Sequence, residues 1–245
     1  MKRIFILLPV TMVLFCASAV RAQDFSSVGD AGISMGDATI SQIETGLVTE
    51  GIRRKSGGAK PGKKATGKSA STTYRRSPQI TQRVEAQFVQ YATRLSPVAG
   101  KSVAADLKRF DPAPVWNKNV AGYGLRSGDI ADAIAGYYIL NFVIANKHTV
   151  NPTRGQVRAF RDRLKTALQK NPTVGTFTNA QKQELAEALM LNFLYQQKSF
   201  SDAVSKNDTA ALTKLATAAT RRFQAELKLD PTTLTLTEAG LKPRS

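Results

Sequence analysis

Residues 127–147, SGDIADAIAGYYILNFVIANK, are the most apolar run in the chain after its first 22 residues. Ile130, Ala133, Ile134, Tyr137, Tyr138, Leu140, Asn141 and Ile144 recur at intervals of three and four, the spacing of one helix face. Ile139, Phe142 and Val143 fill the other faces, so the helix needs neighbours on nearly every side. Ser127 reads as its N-cap, with Asp129 in the first turn where the helix dipole favours a carboxylate. A run of about twenty residues is long enough to span a bilayer. Asp129, Asp132, Asn141 and Asn146 argue against that, and the expectation is a buried helix in a chain with no transmembrane span.

The N-terminus has the order of a secretory signal peptide. Lys2 and Arg3 precede an apolar run from Ile4 to Ala17, followed by small residues. Cleavage fits after Ala19 or after Ala22, and Ala22 is preferred because Gln23-Asp24 opens a polar segment. Phe15 stands before Cys16, where a lipoprotein anchor needs a small residue. Removing residues 1–22 removes the one cysteine of the 245-residue chain. Disulfides, thiol catalysis and cysteine metal sites then drop out together. The expected location is exported, either periplasmic or secreted.

Charge divides what remains into distinct parts. With 32 basic and 18 acidic residues, the mature chain carries +14. Residues 23–52 hold five acids and no base; they are rich in Gly, Ser, Thr and Asp and read as a disordered low-complexity segment. Residues 53–76 hold nine bases and no acid: Arg53, Arg54, Lys55, Lys60, Lys63, Lys64, Lys68, Arg75 and Arg76. So few large apolar side chains cannot offset the entropy of ordering this stretch, which reads as a disordered polybasic linker. Its cations suit an anionic partner, either lipid head groups or acidic envelope polysaccharide; export makes nucleic acid the weaker match. The bland alternative is a solvated spacer. Tyr74 is its one aromatic residue, so a stacking platform for single strands is missing.

From Ser77 to about residue 230 every periodic segment is helical. The expected fold is all-α, a compact bundle of about five to six helices. Ser77-Pro78 opens the first helix, which carries Ile80, Val84, Phe88, Tyr91 and Leu95. A second covers about 99–109, and residues 111–126, DPAPVWNKNVAGYGLR, read as a long loop before the central helix. Thr153 with Gln156 and Thr178 with Gln181 form capping boxes for two further helices. Asn207 or Asp208 caps the last, and Leu234 and Leu236 alternate with threonines in a short extended tail, residues 231–245. Leu140-Asn141-Phe142 and Leu191-Asn192-Phe193 stand 51 residues apart in a weak internal echo. Packing two such hairpins together would let Asn141 and Asn192 hydrogen-bond across the core, unless the likeness is chance.

Candidate chemistry is sparse. His148 is the sole histidine and suits the C-terminal end of the central helix better than a metal site or a triad. No metal or cofactor set is expected. Asp129 and Asp132 are three residues apart, as are Glu184 and Glu187; such pairs allow a hydrolase of the two-carboxylate kind, and more simply they cap helices or pair with cations. Arg154, Arg158, Arg161 and Lys165 step by four, three and four, a basic stripe expected opposite the apolar face and broadened by Arg163 and Lys170. The 111–126 loop carries Trp116, Tyr123 and Arg126, which either grip a sugar or peptide or, for Trp116, plug the end of the bundle.

Tyr123-Gly124-Leu125, then Asp129-Ile130-Ala131-Asp132-Ala133 and Tyr137-Tyr138, resemble the central motif of an uncharacterised family of exported bacterial helical proteins, a domain of unknown function. The resemblance covers about residues 77–240, with signal peptide and basic linker outside it. It implies a bacterial exported helical domain and assigns no catalytic residue. Two readings follow. One is a non-enzymatic envelope module that binds an anionic partner; the other is a cell-wall or polysaccharide hydrolase working through Asp129 and Asp132. Both carboxylates buried and capping backbone would leave the hydrolase no free acid.

Overall fold

The computed structural model describes residues 69–147, 150 and 152–244. The expected signal peptide, the acidic segment 23–52, linker residues 53–68 and His148 lie outside them.

The fold is all-α, with eight α-helices among the described residues rather than five or six. They are α1 (Pro78–Leu95), α2 (Pro97–Leu107), α3 (Pro112–Val120), α4 (Ile130–Ala145), α5 (Arg154–Lys170), α6 (Pro172–Thr176), α7 (Asn179–Ser205) and α8 (Thr209–Leu227). The two additional elements are short. α6 occupies the expected turn at Pro172, and α3 occupies most of the expected 111–126 loop. Asp111 accepts a hydrogen bond from the Ala113 N–H at 3.0 Å and Pro112 takes the first helical position, so the loop opens with the same punctuation as its neighbours. A 3₁₀ turn, Ala121–Tyr123, follows it.

α4 is the axis of the molecule. All 16 of its residues are buried, against α7, α8 and α5. Its N-cap is Asp129, not Ser127: Asp129 accepts from the Ala131 N–H at 2.9 Å, while the Ser127 N–H is held by Asn117 at 2.6 Å. Trp116 of α3 is fully buried against the Gly136 side of α4. A Cβ on Gly136 would stand 3.0 Å from its ring, so this glycine lets the indole seat. Trp116 is a core residue, its ring edge-on to Phe193 at 6.2 Å between centroids.

Both capping boxes form as expected, at Thr153/Gln156 and Thr178/Gln181. Asp208, rather than Asn207, caps α8. The expected tail is a hairpin: β1 (Leu234–Thr237) pairs antiparallel with β2 (Gly240–Pro243), Leu236 opposite Leu241, and the buried Leu234, Leu236 and Leu241 join the core. Asn141 and Asn192 do not meet. Each is fully buried and donates its amide to the carbonyl one turn back, Tyr137 and Ala188, at 2.9 Å. The two helices therefore place the amide NH2 in the same way, but the Asn141 oxygen accepts from Arg222 while the buried Asn192 oxygen has no partner among the described residues.

A second, smaller core lies apart from the first. Val84, Phe88 and Ala92 of α1 and Ala99 and Val103 of α2 pack on Ala188, Leu191 and Tyr195 of α7. Gly100 lets α1 and α2 cross closely, since a Cβ there would fall 2.7 Å from the Thr93 Cα.

Order begins before Ser77, which corrects the expected linker boundary. Residues 70–77 form an extended strap held through its main chain. Ala70 N–H donates to the Gln169 carbonyl, Tyr74 N–H to the Gly128 carbonyl, and Ile130 N–H to the Thr72 carbonyl, each at 3.0 Å. Two amides one turn apart on α7 grasp the next residues. Asn179 takes the Arg75 N–H and gives to its C=O at 2.6 Å, and Gln183 does the same for Ser77 at 2.8 Å. These partners, with Ala70 and Tyr74 packed on the main core and Thr72 buried, explain why so polar a stretch is ordered.

Candidate anion-binding site

Two elements build the basic corner. The Ala121–Tyr123 turn ends at Gly124, whose φ of 77° is the left-handed conformation that glycine tolerates. α5 then packs across this turn. A Cβ on Gly124 would lie 3.5 Å from Arg158 Cδ and 3.6 Å from Arg154 Nε and Nη2, so both arginines rest on the bare glycine. Arg126 leaves the same turn two residues later, its N–H donating to Asp132 at 3.0 Å and its side chain exposed. Tyr123 is half-buried, and burial pushes its hydroxyl up.

The stripe on α5 is not a single face doing one job. At 3.6 residues per turn its four cations centre only about 90° round the helix from the apolar row, not opposite it. Two of its members, Arg161 and Lys165, reach α4. Arg161 Nε donates to Asp132 at 2.5 Å and its Nη1 to Asp162 at 2.7 Å, while Lys165 donates to Asp129 at 2.6 Å. Arg126, Arg154 and Arg158 have no carboxylate partner among the described residues. Lys165 and Arg161 thus leave the proposed binding set as structural cations, and Trp116 leaves it as core.

Those same bonds consume the candidate carboxylates. Asp129 and Asp132 are 4% and 0% exposed. In each, one oxygen takes a backbone N–H and the other a cation. All four oxygens of the pair are thus engaged inside the protein.

Arg75 and Arg76, expected in the free linker, belong to the strap. Arg76 forks onto both oxygens of Asp111 at 2.5 and 2.6 Å and reaches Glu187 at 3.1 Å. Burial raises the Glu187 carboxyl, against the hydrogen bonds of Gln183 and Thr81 and the charge of Arg76. The seven other linker cations, Arg53 to Lys68, fall outside the described residues. No group of three or more His, Cys, Asp or Glu residues suited to a metal occurs among the described residues, and no helix there is long and apolar enough to cross a membrane.

Sequence reasoning missed a buried polar network in the main core. Tyr137 and Tyr138 donate to the two oxygens of Glu226 at 3.3 and 2.9 Å, and Arg222 donates to Asn141 at 2.9 Å. Burial pushes the Glu226 carboxyl up to about 7, with Tyr138, Arg222 and Tyr137 pulling it down. The available signal was spacing: Arg222 and Glu226 stand one turn apart, each just before a core position of α8, Phe223 and Leu227.

No curated protein and no solved structure matches this chain. A family does match, over residues 49–244. The match reaches further toward the N-terminus than the motif at Tyr123–Tyr138 implied, so the basic stretch from Arg53 lies inside the family's span. On a match of that extent, the chain belongs to the family of unknown function DUF6683.

Proposed function

We propose that this protein is a non-enzymatic binding module of the bacterial envelope, exported after signal-peptide cleavage, that attaches to anionic surfaces. The linker cations of residues 53–68 supply long-range attraction, and the Arg126, Arg154, Arg158 corner gives the helical domain its own contact. The observation that carries this reading is the contrast within one stripe: Arg161 and Lys165 are neutralised by buried acids, while Arg154, Arg158 and Arg126 face solvent without one. Full engagement of Asp129 and Asp132 supports a binding role over hydrolysis at that pair.

The test compares the mature chain with a variant lacking residues 53–68, a deletion that spares the strap. Both are titrated onto phosphatidylglycerol vesicles and an acidic polysaccharide across a salt series. Adhesion of the full chain should fall steeply between about 0.05 and 0.5 M salt as the Debye length shrinks below about 5 Å. The deletion should lose most of it. Salt-independent adhesion, or none by either chain, would falsify the reading.

A further inference from the structure

We infer that Arg126, Arg154 and Arg158 form a discrete site for a phosphate-bearing ligand, centred on the bare Gly124 turn; this rests on the anion-binding reading above and gives it a chemical class. Packing on the turn places the Arg154 guanidinium and the stem of Arg158. Arg158 Cδ would lie 3.5 Å, and Arg154 Nε and Nη2 3.6 Å, from a Cβ at 124, ordinary contact distances, and φ of 77° is what keeps that position glycine. The backbone under Arg126 is fixed in turn by the Asp132 oxygen that accepts its N–H. Asp132 is itself fixed by Arg161, one turn along α5 from Arg158.

The charge count selects the ligand. Three guanidinium groups without a counter-ion call for more than one negative charge, and each offers parallel N–H donors matched to phosphate oxygens. A lone carboxylate would leave two of them unanswered. The nearest helix end is already taken, because Glu238 accepts from Thr153 Oγ1 at 3.0 Å and lies over Gly155, where a Cβ would meet its Oε2. Contacts to the ligand therefore come from side chains, not from the first-turn amides of α5. Tyr123 flanks the turn with its ring packed against the main core, which steadies the turn under the arginines.

The site is tested by titrating ¹⁵N-labelled full-length mature protein with inorganic phosphate at constant ionic strength. The amides of Gly122, Gly124 and Arg126 should shift and saturate. The double variant R154Q/R158Q should weaken binding by at least about tenfold, as loss of charge-assisted bonds implies. Arg126→Gln, on the other element, should weaken it independently, and Arg163→Gln should not. Unchanged circular dichroism and melting establish that these surface variants fold. Absence of saturable shifts, or equal shifts in R154Q/R158Q, overturns the site. Phosphatidylglycerol vesicles separate the sources. If phosphate competes with the vesicles and R154Q/R158Q loses both, the ligand is a lipid head group. If vesicle adhesion persists in R154Q/R158Q while the phosphate shifts are lost, the ligand is a soluble phosphate. Should phosphate fail while adhesion still depends on residues 53–68, this inference falls and the broader reading stands; should both fail, both fall.

Discussion

Arg158 and Arg161 are neighbours on α5 with opposite roles. Removing the charge of Arg161 strands the buried Asp132, a change that costs about 3–5 kcal/mol when the pair is buried, and somewhat less here because Arg161 is partly exposed. Arg158→Gln should stay within about 0.5 kcal/mol, as for a surface position without a partner. Chemical denaturation of the two variants decides the point, and equal losses would erase the distinction drawn between them. Glu226 makes a second prediction, in pH. Its carboxyl is raised from 4.5 to about 7, so the folded state holds the proton more tightly than the unfolded chain. The stability this contributes is full below about pH 4.5 and is lost as pH rises through 7, an effect of roughly 3 kcal/mol at 1.36 kcal/mol per unit. Glu85, Asp106 and Glu187, also raised by burial, act in the same direction, whereas Asp111, lowered by its bond to Arg76, contributes stability that is lost only below about pH 4 and leaves this window untouched. Unfolding midpoints measured from pH 4.5 to 8 should decline, and Glu226→Gln should flatten the decline; an unaltered slope would assign it to the other carboxyls.

Among the elements, α1 and α2 form a lobe with its own small core on one face of α7. Such a unit opens separately from α4, whose amides should be the slowest to exchange hydrogen. Gly100→Ala should loosen the lobe by about 1–3 kcal/mol through overpacking against the Thr93 backbone, accelerating exchange in α1 and α2 while leaving α4 protected. Loss of protection in all helices together would show that the lobe is not separable. How far the elements were legible follows from what each depends on. α4, α5, α7 and α8 announced themselves through apolar periodicity and local caps, both properties of contiguous residues. α3 was overlooked because two prolines and a glycine-rich end outweighed the Asp111-Pro112 start. The strap was not legible at all, since its order comes from Asn179 and Gln183, more than a hundred residues away. The basic corner was half legible. The residues were identified, but which of the cations were free depended on how α5 rolls against the acids of α4.

At the scale of the whole molecule, the strap sets where the domain ends and the linker begins. Gln183 is fully buried and serves Ser77, Thr81 and Glu187, so Gln183→Ala should cost about 2–3 kcal/mol and free the amide of Ser77 to exchange, while that of Arg75 stays on Asn179. Protection that survives the substitution would mean the strap is held by other contacts. One consequence of this arrangement is mechanical. When the basic segment is fixed to a surface and the domain is dragged, tension enters at residue 69 and runs along the strap. The antiparallel contacts at Thr72–Tyr74 and the two amide grips then lie across the pull and share it in shear, instead of parting one after another like a zipper. The load passes into α7 and the N-terminal end of α4, not into the separable α1–α2 lobe. On that geometry the strap would act as a strain relief, sparing the small α1–α2 core a load entering at residue 69.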